Sequence, residues 1–196
     1  MKTRINEVTG NWKNTKNKCR TTVNKGYSDV DATSSFREKL LISEHSPIRL
    51  INVDWSWGGI EYWVSTEWSR HKFEKFISTQ RTDRTGVDRS NKPQGALVNF
   101  DGYANAQSLI DAWRKRLCGQ ATFEARQLAL DFKKEVHKTE PELADVLVPN
   151  CVYRCGCPEF TPCPFWDKFI KRNEYDINMT SISERYDAYN KNIYAR

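Results

Sequence analysis

Residues 70–84, RHKFEKFISTQRTDR, place Arg70, His71 and Lys72 in one cationic cluster, with Arg81 and Arg84 following about a dozen residues later. Phe73, Phe76, Ile77 and small hydroxyl residues fill the gap. Guanidinium forks and an ammonium beside an apolar strip suit a ligand that joins several phosphates to a flat ring. The bland alternative is a helix C-terminus carrying cations that complement the helix dipole. A second basic group, Arg114-Lys115-Arg116, ends an apolar-periodic run. Within it Arg116 is best placed to clamp a phosphate or carbonyl at two points, and the other two read as a solvated face. No Ser-His-Asp set or convincing carboxylate pair is visible among these residues.

The cysteines offer a different chemistry. Cys151, Cys155, Cys157 and Cys163 follow the spacing C-x3-C-x-C-x5-C with prolines between them. Four thiolates so close together form a donor set for one Zn²⁺ or an iron–sulfur cluster. The competing reading is a proline-stiffened loop of reduced thiols, since the paired C-x2-C knuckles of common zinc modules are missing. Cys118 has no base or orienting group near it in sequence, and reads as a small buried apolar residue.

Composition bounds these readings. The chain has 196 residues, a net charge of +6 and a sequence pI near 9.0, which favours anionic ligands without separating free nucleotides from nucleic acid. Aromatics make up 12%, including seven tryptophans, enough for a substantial core. No apolar run approaches the roughly 20 residues that span a bilayer. The first residues lack an apolar signal core, so a cytoplasmic protein with reduced cysteines is expected.

The elements that must position these groups can be read from periodicity. Residues 1–30 carry seven Lys/Arg against two acids with no sustained apolar period, and read as a flexible basic arm. SSFREKLLIS reads as a helix that its serines can cap. Ile51, Val53, Trp55 and Trp57 alternate with polar neighbours, the signature of a half-buried strand closed by a Gly58-Gly59 turn. Ile60, Trp63, Val64 and Trp68 recur at helical spacing, predicting a helix from Glu61 to about Lys72. A polar loop over 85–94 precedes a second strand, Ala96 to Ala104. Asn105 can cap a helix to about Cys118, and another helix follows through Val136. Thr139 and Glu142 suit a capping box before PELADVL. These elements predict an α+β fold with helices segregated around a small antiparallel or mixed sheet. The folded domain is expected over 31–148, with a Cys/Pro-rich segment and C-terminal tail over 149–196.

In their order and spacing these residues resemble the flavin-dependent thymidylate synthase family. Arg70-His71-Lys72 matches an Arg-His-Arg motif, and Thr82-Asp83-Arg84 a following Ser-x-Arg, with Gln80 near a family Gln/Glu position. His45 in SEHSP sits where members carry a histidine before the strand. NAQSLIDAWRKRLCGQATFEARQ aligns Asn105, Ala106, Ser108, Leu109, Arg116, Ala121 and Glu124 with a family helix pair. The likeness runs from Phe36 to Val136.

It implies a homotetramer of α+β subunits with FAD and nucleotide bound where subunits meet. The implied reaction is reductive methylation of dUMP, with methylenetetrahydrofolate as the one-carbon donor and NADPH as the reductant. Carried over by position, Arg70, His71, Lys72, Gln80, Asn105 and His45 would contact the flavin, His45 lying at its folate edge. Gln80, Arg81, Thr82, Arg84 and Arg116 would hold the pyrimidine deoxynucleotide, with Arg84 and Arg116 polarising it for catalysis. Lys72 and Thr82 replace the family Arg and Ser, the loop before Thr82 is longer, and a helical insertion is missing. These departures leave room for a phage-like enzyme that delivers a hydroxymethyl or other group, or for a non-catalytic nucleotide- or nucleic-acid-binding module. All of these readings require cations far apart in sequence to converge on one pocket.

Overall fold

The computed structural model describes residues 2–173 and 181–194; the parts of the expected C-terminal tail over 174–180 and 195–196 lie outside the described residues. Four strands, β1 (Lys2–Thr9), β2 (Asn52–Glu61), β3 (Glu74–Ile77) and β4 (Leu97–Asn105), form one sheet in the order β1-β2-β4-β3. Every neighbouring pair is antiparallel. The described helices are α1 (Trp12–Thr22), α2 (Ser34–Ile42), α3 (Tyr62–Trp68), α4 (Thr82–Thr85), α5 (Ala106–Arg116), α6 (Phe123–His137), α7 (Pro141–Asp145), α8 (Asn150–Arg154), α9 (Phe165–Asn173) and α10 (Ile182–Tyr194). Among the described residues no helix is long and apolar enough to cross a membrane.

The sheet is asymmetric by sequence. Val53, Trp55, Trp57 and Ile60 of β2 and Val98, Phe100 and Ala104 of β4 turn one face inward. Their neighbours Asp54, Ser56, Asn99 and Asp101 face away, as strand alternation requires. Leu109, Ile110 and Trp113 of α5 and Leu128 and Phe132 of α6 cover the apolar face. Trp55 meets Trp113 and Phe132 edge-on at ring separations of 5.8 and 5.1 Å, and the Trp113 indole N–H donates to the Ala129 carbonyl at 3.0 Å. Gly102 lies against the Trp55 ring, where any added Cβ would collide with it.

Several expectations change in three dimensions. The expected basic arm is ordered over its described residues 2–30: β1 is an edge strand paired along β2, and α1 is capped by the Asn11 side chain. Polar residues hide this order. Asn6 is the extra residue of a bulge, and its amide donates to Asp54 and Ser56 at 2.8 Å. Buried Asn17 donates to the Ser28 carbonyl and accepts from the Ser28 N–H, closing the following loop. Trp12 is buried and donates to Glu140 at 2.8 Å. Gly58-Gly59 is a bulge inside β2, with Gly59 at φ +66 returning Ile60 to the buried face. The expected capping box before PELADVL is not formed: α7, which is PELAD itself, starts from Glu140 without a side-chain cap, and Thr139 donates back to Val136. Thr33, rather than a serine, caps α2.

The C-terminal elements join the same core. Arg185 of α10 is buried and donates to the Val152 and Tyr153 carbonyls at 2.9 and 3.1 Å, and Asn190 donates to Asp145. The reading of residues 2–30 as ordered has a direct consequence. Trp12→Ala is expected to lower unfolding free energy by about 3 kcal/mol. A urea titration will report this as a lower midpoint at similar slope, and an unchanged midpoint would restore the flexible arm.

Candidate functional site

The helix expected to reach Lys72 stops at Trp68, and the cationic cluster occupies the turn before β3. Backbone N–H groups of Arg70 and His71 bond to the Glu67 and Trp68 carbonyls, which tightens that turn. Arg70 and Lys72 point outward and His71 is half-buried. The His71 ring lies parallel to the Phe73 ring at 6.4 Å, and its backbone carbonyl accepts from the Lys75 ammonium at 2.7 Å.

Arg116, at the end of α5, reaches into this turn and locks it. Its Nε donates to His71 Nε2 at 2.8 Å, one Nη to the Glu67 carboxylate at 2.9 Å and the other to the Glu67 carbonyl at 2.6 Å. Thr122 also donates to the Glu67 carboxylate. The Arg116 side chain is only 13% exposed, with its guanidinium 5.8 Å from the Trp68 ring centre. Three long side chains from α3, its following turn and α5 therefore form one rigid joint.

The joint has a clear electrostatic character. Burial, then the Arg116 and Lys75 charges, lowers the His71 pKa from 6.5 to about 4. Its Nε2 accepts from a guanidinium, so the ring is neutral at pH 7 with its proton on Nδ1. Burial lowers the Arg116 pKa, the Glu67 carboxylate opposes that, and nearby Arg70 lowers it further. Arg116 pairs with Glu67, while Lys75 lies beside His71 and Arg70 near Arg116. The balance is positive and open on the side where Arg70 and Lys72 reach solvent.

Other expected site residues are placed apart from this joint. Arg81 caps α4, which carries Thr82 and Arg84, and every residue from 81 to 90 is exposed. Arg81 spends its fork on Asp83 at 2.7 and 3.0 Å, and Arg84 is 69% exposed and 3.9 Å from the same carboxylate. Gln80 is half-buried just before that turn, and Asn105 caps α5 by accepting from the Ser108 N–H. His45 is exposed beside Glu44. Convergence within one chain is therefore limited to Arg70, His71 and Arg116, because β3 carries the Arg81–Arg84 loop onward past the sheet edge.

Sequence reasoning missed Glu67, four residues before His71, whose signal was a lone acid on an apolar helix face. Arg114 is also misread as solvated: it forms an ion pair with Glu44 and stacks on the Tyr153 ring at 3.5 Å. Glu44 can turn toward it because its backbone takes a left-handed conformation at φ +52.

The metal site expected at Cys151, Cys155, Cys157 and Cys163 is not formed: among the described residues no three His, Cys, Asp or Glu side chains are arranged to hold an ion. Cys155 takes a left-handed conformation that ends α8. Cys151 is packed in the core, where burial, then the neighbouring Cys118 and Cys157, pushes its thiol up to about 12.

No family model matches the sequence. Two curated flavin-dependent thymidylate synthases are similar to parts of it. The one from Saccharolobus solfataricus is 28% identical over 94 residues, 48% of this chain and 32% of its own. That from Sulfurisphaera tokodaii is 35% identical over 60 residues, 31% of this chain and 23% of its own. The matched segment thus spans a third or less of either relative. Among solved structures, the Helicobacter pylori flavin-dependent thymidylate synthase ThyX complexed with FAD and dUMP superimposes with a TM-score of 0.60 at 15% identity, covering 76% of this chain and all of that one. The UMP/dUMP methylase PolB from Streptomyces cacaoi, bound with 5-Br dUMP, gives 0.58 at 10% identity, covering 74% and 93%.

His71 makes stability depend on acid. A base whose folded pKa lies below its unfolded value leaves the native state short of a proton, so its stability is intact above about pH 6.5 and lost as pH falls toward 4. Urea midpoints at pH 7 and pH 5 should therefore differ more for the natural chain than for His71→Gln. Equal pH dependence in both would show that the imidazole does not sit neutral against Arg116.

Proposed function

We propose that this chain, a diverged relative of the flavin-dependent thymidylate synthases, binds FAD and a pyrimidine deoxynucleotide and transfers a one-carbon unit to the pyrimidine 5-carbon. The simplest reaction is methylation of dUMP with methylenetetrahydrofolate and NADPH. The observation that carries this reading is the joint in which Arg116 fixes His71 and Glu67 beneath the outward-facing Arg70 and Lys72.

The residues present fit a dinucleotide. Arg70 and Lys72 have no ion-pair partner among the described residues and are held beside a rigid turn, as an anionic diphosphate requires. Neutral His71 adds no charge there, and its Nδ1–H is a donor for a ring or phosphate oxygen. When bound, the flavin would supply the hydride that reduces the transferred carbon. The protein's part is positioning and polarisation. Arg116, desolvated and aimed by Glu67, stabilises negative charge developing on the pyrimidine or its phosphate, an effect worth about 3 kcal/mol for a preorganised donor.

Arg81, Thr82 and Arg84 need a second copy of the chain to reach the same nucleotide. Their loop projects from the sheet edge, and Phe76 (69% exposed) and Val87 beside it offer apolar surface for such a contact. A homotetramer, as the resemblance implies, would bring this loop onto a neighbour's Arg116.

The exposed Arg81, Arg84 and Arg89 favour one second reading, binding of single-stranded nucleic acid without catalysis. The two separate cleanly. The purified protein is expected to be yellow or to bind added FAD. Arg70→Ala should release flavin, while Arg84→Ala should keep it and lose roughly 100-fold in transfer to dUMP. A colourless protein indifferent to FAD and dUMP, with polynucleotide affinity that falls steeply with salt, would overturn the enzyme reading.

A further inference from the structure

A second cleft, of about 480 Å³, opens between α6, α9 and α10, and none of the residues discussed above as nucleotide or flavin contacts lines it. Its volume lies in the range of small-molecule sites. Arg126 and Lys134 project from α6, eight residues and therefore about two turns apart on one face. Lys168 and Arg172 project from α9 at the i, i+4 spacing that places them side by side. Four cations from two helices thus face one space, against the single carboxylate of Asp131.

Their arrangement is unusual for solvated surface charge. Among the described residues none of the four has an ion pair or a hydrogen bond from its side chain. Like charges gathered in one space repel, a cost that Asp131 offsets only at Lys134 and that an anionic occupant would remove. Aromatic groups line the same space. Phe169 is buried, Phe165 lies nearly parallel to it at 5.8 Å, and the Tyr189 ring stands edge-on to Phe165 at 6.3 Å. Gln127 and Asn192 add amides that can donate or accept. The α5–α6 turn forms the rim at Gly119, where a Cβ would come within 2.7 Å of the Cys163 sulfur and 3.9 Å of an Arg126 nitrogen.

We infer that the cleft between α6, α9 and α10 is a second binding site, for a nucleoside di- or triphosphate whose phosphates meet Arg126, Lys134, Lys168 and Arg172 and whose base lies against Phe165 and Tyr189. Guanidinium forks grip phosphate oxygens at two points, and the two lysines add point charges. The occupant would tie α9 to α6, and so couple the C-terminal helices to the helix that covers the sheet. The site stands on this geometry alone and is independent of the proposed transfer reaction.

Fluorescence titration of the full chain with N-methylanthraniloyl-ADP tests the inference, with thermal unfolding used to confirm that each variant is folded. The natural chain should bind, and excess ADP should compete better than either pyrophosphate or adenosine alone. The double variant Arg126→Ala/Lys168→Ala should weaken binding about tenfold or more through loss of two charge-assisted contacts. Arg70→Ala, in the other site, should leave it within about threefold. The inference is overturned if the natural chain binds none of the probe, if the double variant binds unchanged, or if Arg70→Ala alone abolishes binding. Equal competition by pyrophosphate and ADP would overturn the assignment of a base-binding wall. Loss of FAD binding with retained N-methylanthraniloyl-ADP binding would refute the proposed function and leave this site standing.

Discussion

One constraint organises this molecule: a four-stranded sheet has a single apolar face, and large aromatic rings must fill the space above it. Trp55 and Trp57 stand on the central strand β2, and Trp68, Trp113, Phe100 and Phe132 close around them from α3, α5, β4 and α6. Rings of this size leave little freedom in how the helices lie, because protein interiors tolerate neither voids nor overlap. Gly102 shows how tight the fit is. The backbone of β4 approaches the Trp55 ring so closely that no side chain fits between them.

This packing has a cost that the structure carries visibly. Among the described residues the indole N–H groups of Trp55, Trp57 and Trp68 have no hydrogen-bond partner, each a penalty on the order of 1–3 kcal/mol. Burial of three complete indole side chains offsets it, since each removes a large apolar area from water. Lys133 is a related case. It is fully buried and donates to the Ala144 carbonyl, with the Tyr189 and Tyr194 rings at 5.7 and 5.4 Å from its ammonium. Burial lowers its pKa to about 7 against the opposing pull of Asp145. α6 is thus a helix with one aromatic-packed side and one cationic side, and the buried lysine belongs to neither.

The candidate site inherits its rigidity from the same core. Trp68 ends α3 within the aromatic cluster, and Trp113 sits three residues before Arg116 on α5. Fixing those two rings fixes where the α3 turn and the α5 terminus meet. Glu67, His71 and Arg116 then need only short reaches to engage, and the ion pair is held with both side chains mostly out of water. Arg84 has no such support. Its loop follows a four-residue edge strand, and its side chain projects into solvent. The similarity to flavin-dependent thymidylate synthases lies in this fold and in a matched segment of 94 residues.

The sequence by itself determined the elements whose pattern repeats. Alternation in β2 and β4, the capping Asn105 and the apolar stripes of α5 and α6 could be read directly, because a buried face imposes a period of two or of 3.6 on residue type. Arg116 lies at the end of one of those helices, whereas Arg70–Lys72 falls in the turn between α3 and β3, beyond the end of the expected helix. Only the tertiary structure decided who meets whom. β1 escaped notice because its stability comes from pairing along β2 and from polar residues satisfied by distant partners, which leave no local pattern. The Glu67–Arg116 and Glu44–Arg114 pairs join residues 49 and 70 positions apart. The cysteine spacing suggested a metal, yet it could not reveal that Cys151 packs inward and keeps its proton. Local periodicity records burial, whereas the choice of a charged partner is made by chain folding between elements.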